Sequence, residues 1–169
     1  SSDVCSSDLV DVFDYATSGL RSDRLDAAIA ARCAFWLGTA SGLMDLPFEF
    51  RRPLVVVNHV CPLIPAEPRL TLYQNSIWLM KGFRRIGGSR PMTFREILDS
   101  GAGGLSRTED FRAAGVRLES NTPEEIRDAA LEMAGRLAGT WRDTPEDDRR
   151  QRRFWEMWGP EAREHAAAA

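Results

Sequence analysis

Phe35-Trp36-Leu37-Gly38-Thr39-Ala40-Ser41-Gly42-Leu43, followed by Pro53-Leu54-Val55-Val56-Val57-Asn58, is the stretch that decides the fold. It reads as a buried strand, a turn of small residues, a helix start and a second buried strand. Both strand segments are continuously apolar rather than alternating, which suits parallel strands covered on both faces. Thr39, Ser41 and Gly42 fall where a strand hands over to a helix. The first N–H groups of a helix have no partner inside it, and its dipole end is positive. Such a corner seats a phosphate, and ligands of open α/β sheets bind beyond the carboxyl ends of the strands.

Working outward, residues 10–13 form a short alternating segment, readable as a strand running into Asp14-Tyr15. Ser22 is placed to N-cap a helix over residues 23–32. A strand is expected over residues 33–37, with Cys33 as a buried small hydrophobe. Residues 42–50 form a short helix with Leu43, Leu46 and Phe50 on one side, which Pro47 should kink or split. Strand alternating with helix predicts βαβ crossovers and one parallel sheet.

Residues 58–70 form a loop with Pro62, Pro65 and Pro68, and long ordered loops are often functional. Residues 76–83 are strand-like and deliver Lys81 to their end, with Arg84, Arg85 and Arg90 close by. Thr93 caps a helix over 94–100, and Glu96 completes a capping box. Gly101-Ala102-Gly103-Gly104 lacks the spacing of a phosphate-binding loop and reads as a turn. A short strand over 116–118 precedes Thr122-Pro123-Glu124-Glu125, a strong helix start. That helix carries Ile126, Ala129, Ala130, Met133 and Leu137 as its apolar stripe. Thr144-Pro145-Glu146-Asp147 repeats the start signal for a last helix bearing Phe154, Trp155 and Trp158. These aromatics are expected to dock on a neighbouring domain or helix. The domain division is a Rossmann-like unit over 10–142, then a C-terminal helix and tail over 143–169.

With 169 residues, 43% hydrophobic and 28% charged, and a net charge of −3, the composition is that of an ordinary soluble globular protein. Nothing in the charge balance points to nucleic acid, and the arginines of 149–153 read as a solvated helix face. No run approaches the roughly 18 apolar residues that span a bilayer, and none reads as a signal peptide. Cys5, Cys33 and Cys61 have no metal spacing, and His59 and His165 form no local metal motif, so neither a metal nor another cofactor is expected. His59 follows a strand end, where a catalytic role and a packing role are both open. Ser1-Ser2-Asp3 recurs as Ser6-Ser7-Asp8. Residues 1–9 look like the translated product of a short-read sequencing adapter, which would start the natural reading near Val10. The alanine-rich tail from Glu161 reads as a frayed end or a second truncation.

Lined up in order, these elements resemble the C-terminal half of a GT-B-type glycosyltransferase. The chain is most similar to a family of bacterial transferases associated with surface-polysaccharide synthesis. The likeness rests on Asp14-Tyr15, the Gly-Thr-x-Ser-Gly core of residues 35–43, residues 50–58, residues 93–97 and Asn121-Thr122-Pro123-Glu124-Glu125-Ile126. Glu132-Met133, Trp141, Thr144 and Asp147 close the pattern. The resemblance implies a Rossmann-like domain that holds a nucleotide-sugar donor. Ser41 and Gly42 would contact its diphosphate, Thr39 would line the same pocket, and Asn58 would face the cleft. It also implies a glycan acceptor and a catalytic base on an N-terminal domain that this chain lacks. The fragment should then be inactive alone, and its last helix would pack on the missing domain. No catalytic residue is named. Lys81 is the cation expected to meet the leaving diphosphate, with Arg84 or Arg85 as substitutes. The expected location is cytoplasmic, peripheral at the inner membrane. A nucleotide-sugar epimerase fragment, or a non-catalytic module binding a phosphorylated ligand, are the alternatives.

Overall fold

Four consecutive apolar side chains, Leu54 to Val57, offer no face to water, so a strand made of them must be covered on both sides. They open β2 (Leu54–His59), the central strand of a parallel sheet with β1 (Trp36–Thr39) and β3 (Ser76–Met80) as its neighbours. The structure, a computed structural model, describes residues 12–60 and 75–158. Trp36 lies opposite Leu54, Thr39 opposite Val57, and Leu54 opposite Ser76.

One face of the sheet places Val55, Val57 and Ile77 against Ile126, Ala129 and Met133 of α5 (Pro123–Leu137). The other places Leu54, Val56, Trp36 and Trp78 against Met44 and Phe48. Met44 closes a 3-10 turn (Gly42–Met44), and Phe48 belongs to α2 (Asp45–Glu49). Val55 and Val56 have no exposed surface. Each such valine contributes about 1.5–3 kcal/mol by leaving water. The described chain is thus mixed α/β, with a small parallel sheet flanked by helices.

The helix starts follow the sequence closely. Ser22 accepts a hydrogen bond from the Leu25 N–H at the head of α1 (Asp23–Arg32). The Tyr15 hydroxyl braces the same corner by accepting from the Ser22 N–H at 3.1 Å. Capping boxes pair Thr93 with Glu96 on α3 (Phe94–Asp99) and Thr122 with Glu125 on α5. Thr144 and Asp147 exchange the equivalent bonds at the head of α6 (Pro145–Trp158).

Other expectations are corrected. Cys33 does not open a strand: its N–H bonds the Ile29 carbonyl as the C-cap of α1, and it is half-buried. The strand therefore starts at Trp36. Val12 and Phe13 belong to no strand and are 51% and 67% exposed. The helix expected over 42–50 is split, as expected, into the 3-10 turn and α2, but the split lies ahead of Pro47. Met44 and Pro47 are its buried residues, whereas Leu43 and Phe50 are exposed. Pro47 falls in the first turn of α2, where a missing N–H forfeits no helical bond.

The segment over 76–83 is not one strand. It breaks at Lys81, and β4 (Gly82–Arg85) leaves the parallel sheet to pair antiparallel with β5 (Val116–Glu119). Phe83 and Val116 on this pair pack with Met92, Ile97, Ala102 and Phe111 as a second core. Ile97 comes from α3, Ala102 from a 3-10 turn (Ala102–Gly104), and Phe111 from α4 (Thr108–Ala113). Gly101, at φ 69°, makes the turn that the glycine run suggested. Of the α6 aromatics, Phe154 docks on a neighbouring helix, as expected: its ring lies 4.8 Å from that of Phe94 on α3. Among the described residues no helix is long and apolar enough to cross a membrane. The expectations for residues 1–11, for the proline loop beyond Val60, and for Cys61, His165 and the alanine tail lie outside the described residues.

Two tests follow from the packing and the caps. A Cβ built on Gly38 would meet Trp36 Cζ2 at 2.6 Å. Gly38→Ala is therefore expected to cost about 1–3 kcal/mol in urea unfolding, and an unchanged midpoint would remove the constraint. The second concerns acid. The Arg90 guanidinium, and then the Thr93 N–H and hydroxyl, hold the Glu96 carboxyl at about 2. A carboxyl with a depressed folded-state pKa stabilises fully above its unfolded pKa and loses that contribution as pH falls through the folded value. Melting temperature should accordingly fall from about pH 4.5 toward pH 2. Glu96→Gln should flatten that part of the profile.

Candidate functional site

Parallel pairing brings the carboxyl ends of β1, β2 and β3 to one edge. Thr39 ends β1 opposite Val57, and Asn58 is the next residue of β2. The Lys81 N–H, just past β3, donates to the His59 carbonyl at 2.7 Å. Thr39, Asn58 and Lys81 therefore stand at three adjacent strand ends.

Ser41 follows Thr39 and N-caps the 3-10 turn in extended conformation, φ −157° and ψ 166°. Its hydroxyl makes no capping hydrogen bond, and the residue is exposed. A Cβ on Gly42 would meet nothing within 4 Å. Thr39, Ser41 and Gly42 thus form an exposed corner of small residues whose polar atoms face water.

Asn58 is placed differently from its neighbours. It is half-buried and adopts φ 55°, in the left-handed region that asparagine tolerates better than most residues. Four residues of β2, Val56 to His59, lie opposite three of β3, Trp78 to Met80, so the strand bulges at this point. Asn58 and Asn121 then bond each other reciprocally. The Asn58 N–H donates to Asn121 Oδ1 at 2.6 Å, and the Asn121 N–H donates to Asn58 Oδ1 at 2.7 Å. Asn121 Nδ2 also reaches the Met80 carbonyl at 2.8 Å. The ends of β2 and β3 are thereby tied to the residue preceding the N-cap of α5.

The cations separate clearly. Arg84 is held by Glu119 at 2.8 Å and by the Ser89 carbonyl. Arg90 forks onto Glu96. Arg85 is exposed at the end of β4. Lys81 borders an open recess of about 520 Å3 with residues of β5 and α4. Thr39, Ser41, Gly42 and Asn58 do not line that recess. His59 is 8% exposed, and its ring meets Trp78 edge-on at 4.9 Å. It is part of the wall beneath the edge.

Asn121 carries part of the family resemblance, yet the sequence assigned it no role of its own. Its one signal was its position before Thr122-Pro123-Glu124-Glu125, which capping alone explained. Compared with known protein families, with curated proteins and with solved structures, the chain matches none.

Removing the amide pair tests its weight. Asn121→Ala strips partners from the Asn58 N–H and the Met80 carbonyl, and should cost about 1–3 kcal/mol in chemical denaturation. Asn58→Gly keeps the left-handed backbone and should cost less than Asn58→Ala, which adds strain at positive φ. Equal costs would show that Asn58 matters through its side-chain bond alone.

Proposed function

We propose that this chain is the donor-binding half of a GT-B-type glycosyltransferase, taking a nucleotide sugar at the carboxyl edge of its parallel sheet. The observation that carries the reading is the corner after β1. There the Ser41 hydroxyl is not used for capping, Gly42 has open space beside it, and both follow the parallel strand β1. The family resemblance of the sequence supports the same assignment, and a mixed α/β sheet with flanking helices is compatible with it.

In this reading the leaving diphosphate is met by backbone N–H groups and the Ser41 hydroxyl, donors positioned where negative charge develops. Gly42 permits close approach of the backbone, and Thr39 lines the same corner. Asn58 shapes the adjoining strand end, since its amide oxygen is engaged by Asn121. Lys81 supplies positive charge at the third strand end. The glycan acceptor and the base that deprotonates it would belong to a separate N-terminal domain. Such an enzyme would extend a surface polysaccharide from the cytoplasmic side of the inner membrane. The epimerase alternative needs a histidine in the cleft, and a buried His59 packed on Trp78 suits that role poorly.

The test is a calorimetric titration of the chain with nucleoside diphosphates and nucleoside diphosphate sugars. Binding is expected in the wild type and lost in Ser41→Ala/Gly42→Val. The fold should persist, because a side chain at position 42 meets nothing. Equal affinity in the variant, or no binding of any such ligand by the wild type, would sink the assignment.

A further inference from the structure

The recess beside Lys81 is built from the second core rather than from the parallel sheet. Its walls are β5 and α4, with Ile86 at its rim. Its polar side chains are Lys81, Arg112, Arg117 and Thr108, and no carboxylate lines it. These cations come from three separate elements: the joint between β3 and β4, the last turn of α4, and the middle of β5. Convergence of like charges from separate elements is costly unless an anion or solvent screens it. The chain as a whole is acidic, at net −3, so a wall without carboxylates departs from its average.

The neighbouring acids are committed elsewhere or turned away. Glu119 pairs with Arg84 at 2.8 Å and Arg117 at 2.7 Å, and these guanidiniums, Arg84 first, pull its carboxyl below the usual range. Glu109 and Asp110 lie on α4 but not on the recess. Among the described residues, neither Lys81 nor Arg112 has a carboxylate within ion-pairing distance. The remaining lining is apolar, including Val116 and Leu118. Two uncommitted cations and a hydroxyl next to an apolar wall match an anion with a hydrophobic substituent.

We propose that this recess binds a phosphate monoester bearing an apolar group, with Lys81, Arg112 and Thr108 holding the phosphate and the β5 side chains contacting the substituent. The site is separate from the Ser41-Gly42 corner and shares only Lys81 with it. The inference therefore does not rest on the donor reading.

The experiment uses the full chain and two carriers of the same headgroup: phenyl phosphate in solution, and phosphatidylcholine vesicles containing phosphatidic acid. Saturable binding of either is expected, tighter than that of inorganic phosphate or phenol. The carrier that binds identifies a soluble or a lipid source. Arg112→Glu reverses an exposed charge and should weaken binding at least about tenfold, and Thr108→Ala should weaken it less. Circular dichroism verifies that both variants are folded. Ser41→Ala/Gly42→Val should leave phenyl phosphate binding unchanged, which separates this site from the nucleotide corner. Absence of saturable binding to both carriers, or equal affinity in Arg112→Glu, would overturn the proposal.

Discussion

Asn58 and Asn121 exchange backbone-to-side-chain hydrogen bonds across 63 positions of sequence, and a third bond runs from Asn121 to the Met80 carbonyl. A bulged strand end would otherwise present peptide groups without partners where β2 leaves the sheet, and leaving such groups unpaired is expensive. The amide pair satisfies them and simultaneously fixes where α5 begins. Because α5 packs on one face of the sheet over β2 and β3, its starting point sets the register of Ile126, Ala129 and Met133 over Val55 and Val57. Cap, core and strand end are therefore parts of one constraint.

Among the described residues, the buried apolar side chains fall into three main clusters. Two lie on opposite faces of the parallel sheet, and the third lies under the β4–β5 pair. Lys81 is the joint between the two sheets: its N–H still pairs with β2, while the next residue begins the strand that pairs with β5. That change of partner sets the recess beside Lys81 against β5 and α4 rather than against the parallel sheet. Among the described residues, seven arginines form ion pairs. Arg84 and Arg117 share Glu119, Arg90 is bound to Glu96, and Arg149 and Arg150 both pair with Glu146 on α6. Exposed pairs of this kind contribute little stability individually.

Legibility in the sequence followed the range of the physics. The capping signals at Ser22, Thr93, Thr122 and Thr144 act over three residues and were readable directly. The continuous apolar run of β2 was equally plain, because four adjacent hydrophobes can be hidden only between two layers. Strand boundaries were harder. The apolar run from Cys33 could not show that the first residue would still serve α1, since a helix C-cap and a strand start both accept a small hydrophobe. Residues 76–83 read as one strand because their apolar pattern is unbroken, and the change of partner at Lys81 leaves no local mark. Of the candidate site, Thr39, Ser41 and Gly42 were visible as a strand-to-helix corner. The role of Asn58 was not, because its partner lies far along the chain.

The sequence by itself determined where α1, α3, α5 and α6 start and that Leu54 to Val57 form a strand covered on both faces. Those outcomes depend on propensity, capping and hydrophobic run length, which are local. Only the tertiary structure decided that the strands divide into a parallel and an antiparallel sheet, and that Asn121 closes the bulge at Asn58. It alone also gathered Lys81, Arg112 and Arg117 around one recess. Pairing partners and convergent side chains are settled by packing between distant segments, and a one-dimensional pattern carries no record of which surfaces will meet.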